Sequence, residues 1–340
     1  MAIRGKPLSL IRSTLDPLRA ELGSVRSKFF IVSAGGVGVP ARKLLTSWGA
    51  SRAVLKGLKD GLPALLRLPA SVDTLRVKNN ARLFCRDRSG GGPAVTVKIG
   101  LESVSRGGSL AREIKAHKLL CGDRREGISI PRLVRYAPNL TWLVEEFVQR
   151  CPERDREAKA ELFLRRDAKH LYAPFVRSRA VSLFLRGNGI AADEVVELFA
   201  SAGTTLPKSV LSATWPVALL HGDLSEGNMI ATREGKLYVV DWEKFRRGPV
   251  AWDMRKLFHI LPREVHALLN SLLGDHDLDA DMQMRIVSAA ELILVARKRA
   301  KKITYLTADR GVTEARAREL IERQAMKRID VIKQSSSRGV

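Results

Sequence analysis

The sequence predicts an α+β chain of 340 residues, with a small antiparallel sheet first and a mostly helical part after it. Three observations predict it. Between residues 72 and 148, short runs rich in β-branched and aromatic residues alternate with turn residues. A single helical apolar pattern, Ser109–Leu120, interrupts those runs. Beyond Arg150 the patterning is helical nearly to the end, broken only around residues 221–241.

Taken in order, residues 8–22 read as an amphipathic helix, with Leu8, Leu10, Ile11, Leu15, Leu18 and Leu22 apolar. Phe29–Ser33 reads as a short strand, and Gly35–Pro40 as a glycine turn. That turn has neither the lysine of a phosphate loop nor the spacing of a dinucleotide fingerprint, so it is read as a plain turn. Residues 1–70 form an N-terminal extension to which the pattern assigns no role. In residues 71–148, Thr74–Val77, Arg82–Arg86 and Ala94–Ile99 are expected strands, with a hairpin turn at Asp87–Pro93. The helix Ser109–Leu120 carries Leu110, Ile114, His117 and Leu120 near one face, so His117 reads as a core histidine. Leu133–Tyr136 and Trp142–Val148 complete a five-stranded sheet. Residues 149–332 are expected to be helical over 154–186, 191–202 and 251–332, with one short strand at Leu237–Val240. The polar tail 333–340 is expected to be disordered.

Composition limits the partners. Lysine and arginine number 59 against 36 aspartates and glutamates, a net charge of +23. Such a balance favours anionic partners: nucleotides, phosphorylated sugars, nucleic acid or an anionic lipid surface. The run Ala296–Lys302 places five cations in seven residues, either a solvated helix face or the lining of an anion site. Cys85, Cys121 and Cys151 are scattered and odd in number, and form neither a CxxC pair nor a disulfide framework. The first residues lack the apolar core of a signal peptide, and no apolar run is long enough to span a bilayer. A cytoplasmic protein is expected, with a peripheral place at the inner face of a membrane compatible with its charge.

The densest chemistry lies in His221-Gly-Asp-Leu-Ser-Glu-Gly-Asn228, directly after the apolar run Pro216–Leu220. Polar side chains at the end of a buried strand are costly unless they are paired or used. Phosphoryl transfer asks for a carboxylate near an acceptor hydroxyl, oxygen ligands for magnesium and a cation on the nucleotide phosphates. Asp223 and Asn228 stand in the H-x-D-x-x-x-x-N frame of a kinase catalytic loop. Asp241 follows Asn228 by thirteen residues, at the end of the Leu237–Val240 strand. A strand-end carboxylate beside a loop amide offers the hard oxygen atoms that magnesium prefers.

His221–Asn228 followed by Val239-Val-Asp-Trp-Glu243 resembles the aminoglycoside phosphotransferase and choline kinase family, of the protein-kinase-like fold. Gly248 and Asp253 resemble the family's following segment, whose acid braces the catalytic loop. The resemblance implies a two-lobed fold with an antiparallel-sheet N-lobe and a helical C-lobe. It also implies ATP and Mg2+ as cofactors, Asp223 as catalytic base, Asn228 and Asp241 as metal ligands, and His221 as a loop-shaping residue.

The upstream half has matching parts. Lys98, in Val95–Ile99, resembles the lysine of the third kinase strand, and Glu113 follows it by fifteen residues on the expected helix. Their pairing would hold Lys98 against the nucleotide phosphates. Trp142–Val148 resembles the hinge strand, whose backbone at Glu146 to Val148 would meet adenine. The loop between the first two kinase-like strands lacks glycines, and Lys78, Asn79 and Asn80 are its candidate phosphate donors.

The expected acceptor is a hydroxyl-bearing small molecule or saccharide, neutral or anionic, since a strongly basic chain is a poor host for a polycationic aminoglycoside. A sugar or a lipopolysaccharide-type saccharide fits. Nucleic acid is a compatible but less favoured partner. Two further readings share the motif: a protein serine kinase of the RIO type, and a non-catalytic, kinase-shaped binding module.

Overall fold

The computed structural model describes residues 30–33, 36–37, 70–77, 80–87, 95–100, 108–120, 129–136, 140, 142–149, 156–272, 274, 277–310 and 312–333. The chain divides into two compact units, one comprising residues 1–123 and 130–149, the other residues 124–129 and 150–340.

The first unit is built on a fully antiparallel sheet in the order β2-β1-β3-β4-β5-β7-β6. Its strands are β1 (Phe30–Ser33), β2 (Gly36–Val37), β3 (Ala70–Val77), β4 (Asn80–Asp87), β5 (Val95–Gly100), β6 (Leu133–Tyr136) and β7 (Trp142–Glu146). The five strands expected for this sheet are found, the expected strand Phe29–Ser33 joins them as β1, and β2 was not expected: β1 lies along β3, Phe30 opposite Val77, and β2 folds back on β1. The glycine turn read over residues 35–40 therefore enters a strand at Gly36. The expected helix over 8–22 and the hairpin turn over 88–93 lie outside the described residues.

Helix α1 (Ser109–Leu120) follows β5. Its buried positions Leu110, Glu113, Ile114 and His117 have the i, i+3, i+4, i+7 spacing of one helix face. Leu110 and Ile114 pack with Leu143 of β7, and Leu133, Tyr136 and Leu140 close the cluster. That apolar packing stands beside two charged residues, Glu113 and Lys98, which are buried as deeply as the leucines.

The second unit is mostly helical, with a three-stranded sheet at its centre, β12-β9-β8. Strand β9 (Thr214–Leu220) is flanked by β8 (Arg177–Ala180) and β12 (Arg246–Pro249), and β10 (Met229–Ala231) with β11 (Leu237–Val239) forms a separate hairpin. The helix expected over 154–186 is broken. It runs as α2 (Arg156–Leu162), a π-helical turn Phe163–Asp167 and α3 (Ala168–Tyr172), then leaves through Pro174 into β8. Pro174 has no amide to continue the helical ladder, and β8 instead pairs with β9, Arg177 opposite Val217.

The remaining helices are α4 (Val181–Gly187), α5 (Ala192–Ser201), α6 (Ser209–Ser212), α7 (Val250–Met254), α8 (Pro262–Leu272), α9 (Ala280–Arg297), α10 (Arg299–Arg310) and α11 (Glu314–Lys333). Asp279 caps α9 by accepting from the Met282 amide at 2.7 Å. Buried Arg285 of α9 donates to Ile332 O and Thr204 Oγ1, tying three segments together. The basic run 296–302 spans the junction of α9 and α10. Arg297 pairs with Glu194, Arg299 with Glu322, and Lys302 donates to Gln324. Most of that run is thus used in helix packing. Among the described residues no helix is long and apolar enough to cross a membrane.

Candidate phosphotransfer site

The loop His221–Asn228 begins where buried β9 ends. Its entry is held by one carboxylate, that of fully buried Asp253 in α7. Asp253 Oδ2 accepts from the His221 amide at 2.7 Å and from the Tyr172 hydroxyl at 3.1 Å, while Oδ1 accepts from the Gly222 amide at 2.8 Å. Two backbone N–H groups that have left the sheet thereby find an acceptor. Burial, with the charge and bond of the same carboxylate, pushes the Tyr172 phenol well above its ordinary pKa, so it stays a donor. Gly222 has φ +83, and a Cβ there would lie 2.2 Å from Lys244 O, so both conformation and space require glycine.

His221 is buried, and its two ring nitrogens have different partners. One is a carbonyl, Val240 O at 2.8 Å from Nε2; the other is an amide donor, Asp223 N at 3.3 Å from Nδ1. A carbonyl can only accept and an amide N–H only donate, so the pattern fits the neutral imidazole protonated at Nε2. Its ring lies 4.7 Å from that of buried Trp242, whose Nε1 donates to Val239 O. His221 thus links the loop to the end of β11.

The β10–β11 hairpin brings the metal-type residues together. Met229 stands opposite Val239, so Asn228 and Val240 flank the hairpin at one end, joined by Val240 N donating to Asn228 O at 2.9 Å. Asp241 comes next, in the left-handed region at φ 73. Such a conformation costs about 1–3 kcal/mol for a non-glycine residue and persists only where neighbours enforce it; here buried Trp242 and the His221 contact do so. Asn228 Nδ2 donates to Asp223 O at 3.0 Å, which fixes the amide and leaves its Oδ1 as the ligand-type atom. A carboxylate and an amide oxygen form a donor set suited to magnesium.

The Asp223 carboxylate meets two lysines. Lys244 Nζ lies 2.7 Å from Oδ2 and Lys256 Nζ lies 2.5 Å from Oδ1. Partial burial alone would raise its pKa, but the bonds and charges of Lys244 and Lys256 outweigh that and bring it to about 2. From the other side, buried Lys159 of α2 donates to Glu226 O and Met229 O, anchoring the far end of the loop. The π-helical turn follows α2 directly.

In the first unit, Lys98 of β5 is buried and bonded to Glu113 Oε1 at 2.5 Å, the expected pair. A second acid, Glu145 of β7, lies 2.8 Å from the same ammonium through Oε1, and its Oε2 is 3.1 Å from His117 Nε2. Glu113, His117 and Glu145 lie within 4.8 Å of one another, and the Lys98 ammonium is the cation among them. Burial would raise the Glu145 pKa, but the charge of Lys98 and the His117 bond hold it at about 2, against 4.5 ordinarily. A carboxyl group with a depressed folded pKa stabilises above its unfolded value and loses that contribution as pH falls through the folded one. Glu145→Gln is therefore expected to lower the thermal midpoint at pH 6, with the gap from wild type closing between pH 4.5 and 2. A gap of constant size across that range, by circular dichroism melts, would contradict the assignment.

The residues expected from the sequence fall into two groups. Lys98 and Glu113 are joined in the first unit. His221, Asp223, Asn228 and Asp241 share the β9, β10 and β11 ends of the second, where Asp253 braces the loop. Glu146 ends β7 with its amide on Arg132 O, and half-buried Val148 lies just beyond the strand. Asn80 opens β4 opposite Gly100, and Asn79 and Lys78 lie outside the described residues. Sequence reasoning missed Glu145, Lys159, Lys244, Lys256 and Tyr172. His117 is buried as expected, though its partner is a carboxylate and its place is in the Lys98 network.

A model of the phosphotransferase enzyme family matches residues 148–285, which bears out over that stretch the resemblance carried by the motifs. Among solved structures, choline kinase LicA from Streptococcus pneumoniae is 14% identical, with 74% of this chain and 90% of that one covered and a TM-score of 0.47. The GDP complex of wild-type aminoglycoside 2'-phosphotransferase-IIIa is 16% identical, covers 73% and 90%, and has a TM-score of 0.48. The AMP-bound complex of spectinomycin phosphotransferase is 9% identical, covers 75% and 91%, and has a TM-score of 0.43. No curated protein matches the chain.

Proposed function

We propose, taking as premise the match of residues 148–285 to the phosphotransferase enzyme family, that the protein moves the γ-phosphate of MgATP to a hydroxyl group. The observation that carries the reading is the convergence of Asp223, Asn228 and Asp241 at one end of the β10–β11 hairpin, on a loop braced by Asp253. Asp223 accepts the proton of the acceptor hydroxyl. Asn228 and Asp241 hold Mg2+, which supplies charge neutralisation on the nucleotide phosphates. Lys98, oriented by Glu113, is the cation for those phosphates. The backbone from Glu146 to Val148 meets adenine, and Asn79 and Asn80 are the candidate phosphate donors of the first loop. His221 shapes the loop as a neutral ring.

The acceptor in this reading is a small molecule or saccharide, neutral or anionic, since the net charge of +23 opposes polycations. A cytoplasmic location, with peripheral contact at an anionic membrane face, is consistent with that charge.

Thermal unfolding tests the nucleotide site. A ligand that binds only the folded protein at a hundredfold excess over its Kd adds about 2.7 kcal/mol of stability. ATP with Mg2+ is expected to raise the midpoint by several degrees, ATP alone far less, and Asp241→Ala is expected to lose the Mg2+-dependent part. A wild-type protein that ATP and Mg2+ fail to stabilise would refute the reading.

A further inference from the structure

Asp223 is the group assigned to the acceptor hydroxyl, yet both of its carboxylate oxygens are engaged by lysines. The two lysines come from independently fixed elements. Lys244 ends the short turn Trp242–Lys244, whose tryptophan is buried and whose Lys244 carbonyl closes over Gly222. Lys256 follows α7, which also carries the brace Asp253. Their backbones are therefore held firmly, while their side chains reach solvent, with exposures of 52% and 35%.

Neither lysine shapes the loop. That work falls to Asp253, His221, Asn228 and Lys159, all through bonds to backbone atoms. The neighbouring Arg246 and Arg255 lie over the Trp252 ring at 4.9 and 4.6 Å, and Arg255 also pairs with Glu291. Among the described residues of this segment, the two lysines are the cations paired with Asp223. An ammonium on each oxygen competes with a hydroxyl for the lone pairs of the base. An incoming anion that draws the lysines away would free those lone pairs for the hydroxyl.

We propose that Lys244 and Lys256 are the receptor for an anionic group, a phosphate or carboxylate, that the acceptor carries close to the hydroxyl being phosphorylated. This rests on the reading of Asp223 as the base. The exchange keeps both ammonium charges paired and opens Asp223 to the hydroxyl. The hydroxyl oxygen then bonds to the γ-phosphorus, the bond from that phosphorus to the β–γ bridging oxygen breaks, ADP departs, and the hydroxyl proton passes to Asp223. An acceptor bearing ammonium groups would meet two like charges at the base, so the site selects against polycations.

The alternative source of an anion is the nucleotide's own γ-phosphate, and the test separates the two. Binding of inorganic phosphate to the full chain is measured by calorimetry, with and without saturating Mg2+ and a non-hydrolysable ATP analogue. Wild type is compared with Lys244→Met, Lys256→Met, the double variant and the Lys→Arg pair. The expected result is one phosphate bound by the analogue-loaded wild type, roughly tenfold or more weaker in each Lys→Met variant and restored by arginine. Phosphate that binds only without the analogue would overturn the proposal, because the lysines would then serve the γ-phosphate. Binding unchanged in the double variant, or no binding at all to the loaded protein, would overturn it as well. The analogue's own binding heat reads the nucleotide site separately, so failure of the phosphotransferase reading shows as loss of that signal.

Discussion

Asp223→Asn is expected to keep the fold and nucleotide binding while lowering phosphoryl transfer by about 10²–10⁴-fold, the span associated with losing a positioned general base. The fold should survive because the loop does not depend on this carboxylate. Asn228 bonds to the backbone carbonyl of residue 223, and His221 Nδ1 to its amide. The two lysines that lose their partner are half or one-third exposed and can return to water, so the fold survives with only part of its stability given up at these partly buried pairs. Single-turnover transfer measured beside thermal melts checks both halves. Wild-type turnover in Asp223→Asn would remove Asp223 from its role. A variant that fails to fold would mean that the lysine pairs carry more of the loop than their exposure allows.

The wild-type carboxylate also sets a pH expectation. With the pKa at about 2, Asp223 is ionised throughout the neutral range in the free protein. Removing Lys244 and Lys256 together takes away the bonds and charges that depress it. The acid limb assigned to Asp223 then moves upward.

The site was legible where chemistry fixes spacing along the chain. His221, Asp223 and Asn228 share one loop, and Asp241 lies one short hairpin away, so local spacing reports their proximity. Asp253 was legible through the segment from Gly248 to Asp253, whose spacing resembles the family's loop-bracing acid. Glu145 was harder. In Trp142–Glu146 two adjacent glutamates end the strand, and the letters do not say which one faces Lys98. Strand alternation places Glu145 on the face of Leu143, the residue opposite Lys98, and Glu146 on the other. That signal was available once the register of β5 on β7 was known. Lys244 and Lys256 had no such signal, since their meeting at Asp223 follows from how β12 and α7 return to β9. In the N-terminal extension the run Phe29–Ser33 was legible as a strand, but its place beside β3 was not, because pairing depends on a partner far along the chain. The broken helix after Arg156 had Pro174 as its clue, which apolar periodicity alone overrode.

Asp253→Ala should produce the largest loss of stability of any single change at the site, about 3–6 kcal/mol, because it strands three buried donors at once. The His221 and Gly222 amides and the Tyr172 hydroxyl all point at its two oxygens in a fully buried setting, where no water offers a substitute. A domain of ordinary stability, about 5–15 kcal/mol, would be left marginal. Tyr172→Phe supplies the scale: it removes one donor, leaves the amide bonds intact, and should cost about 1 kcal/mol. Asp253→Asn falls between, keeping one acceptor oxygen but turning an N–H toward a backbone N–H. Urea unfolding of the three variants orders them, and the two milder substitutions keep the comparison open if the alanine variant does not accumulate. An Asp253→Ala loss no larger than that of Tyr172→Phe would show that the amides find other acceptors. The contrast with Asp223 separates shape from chemistry within one loop: the buried acid is expected to lose stability and transfer together, and the solvent-reaching acid to lose transfer alone.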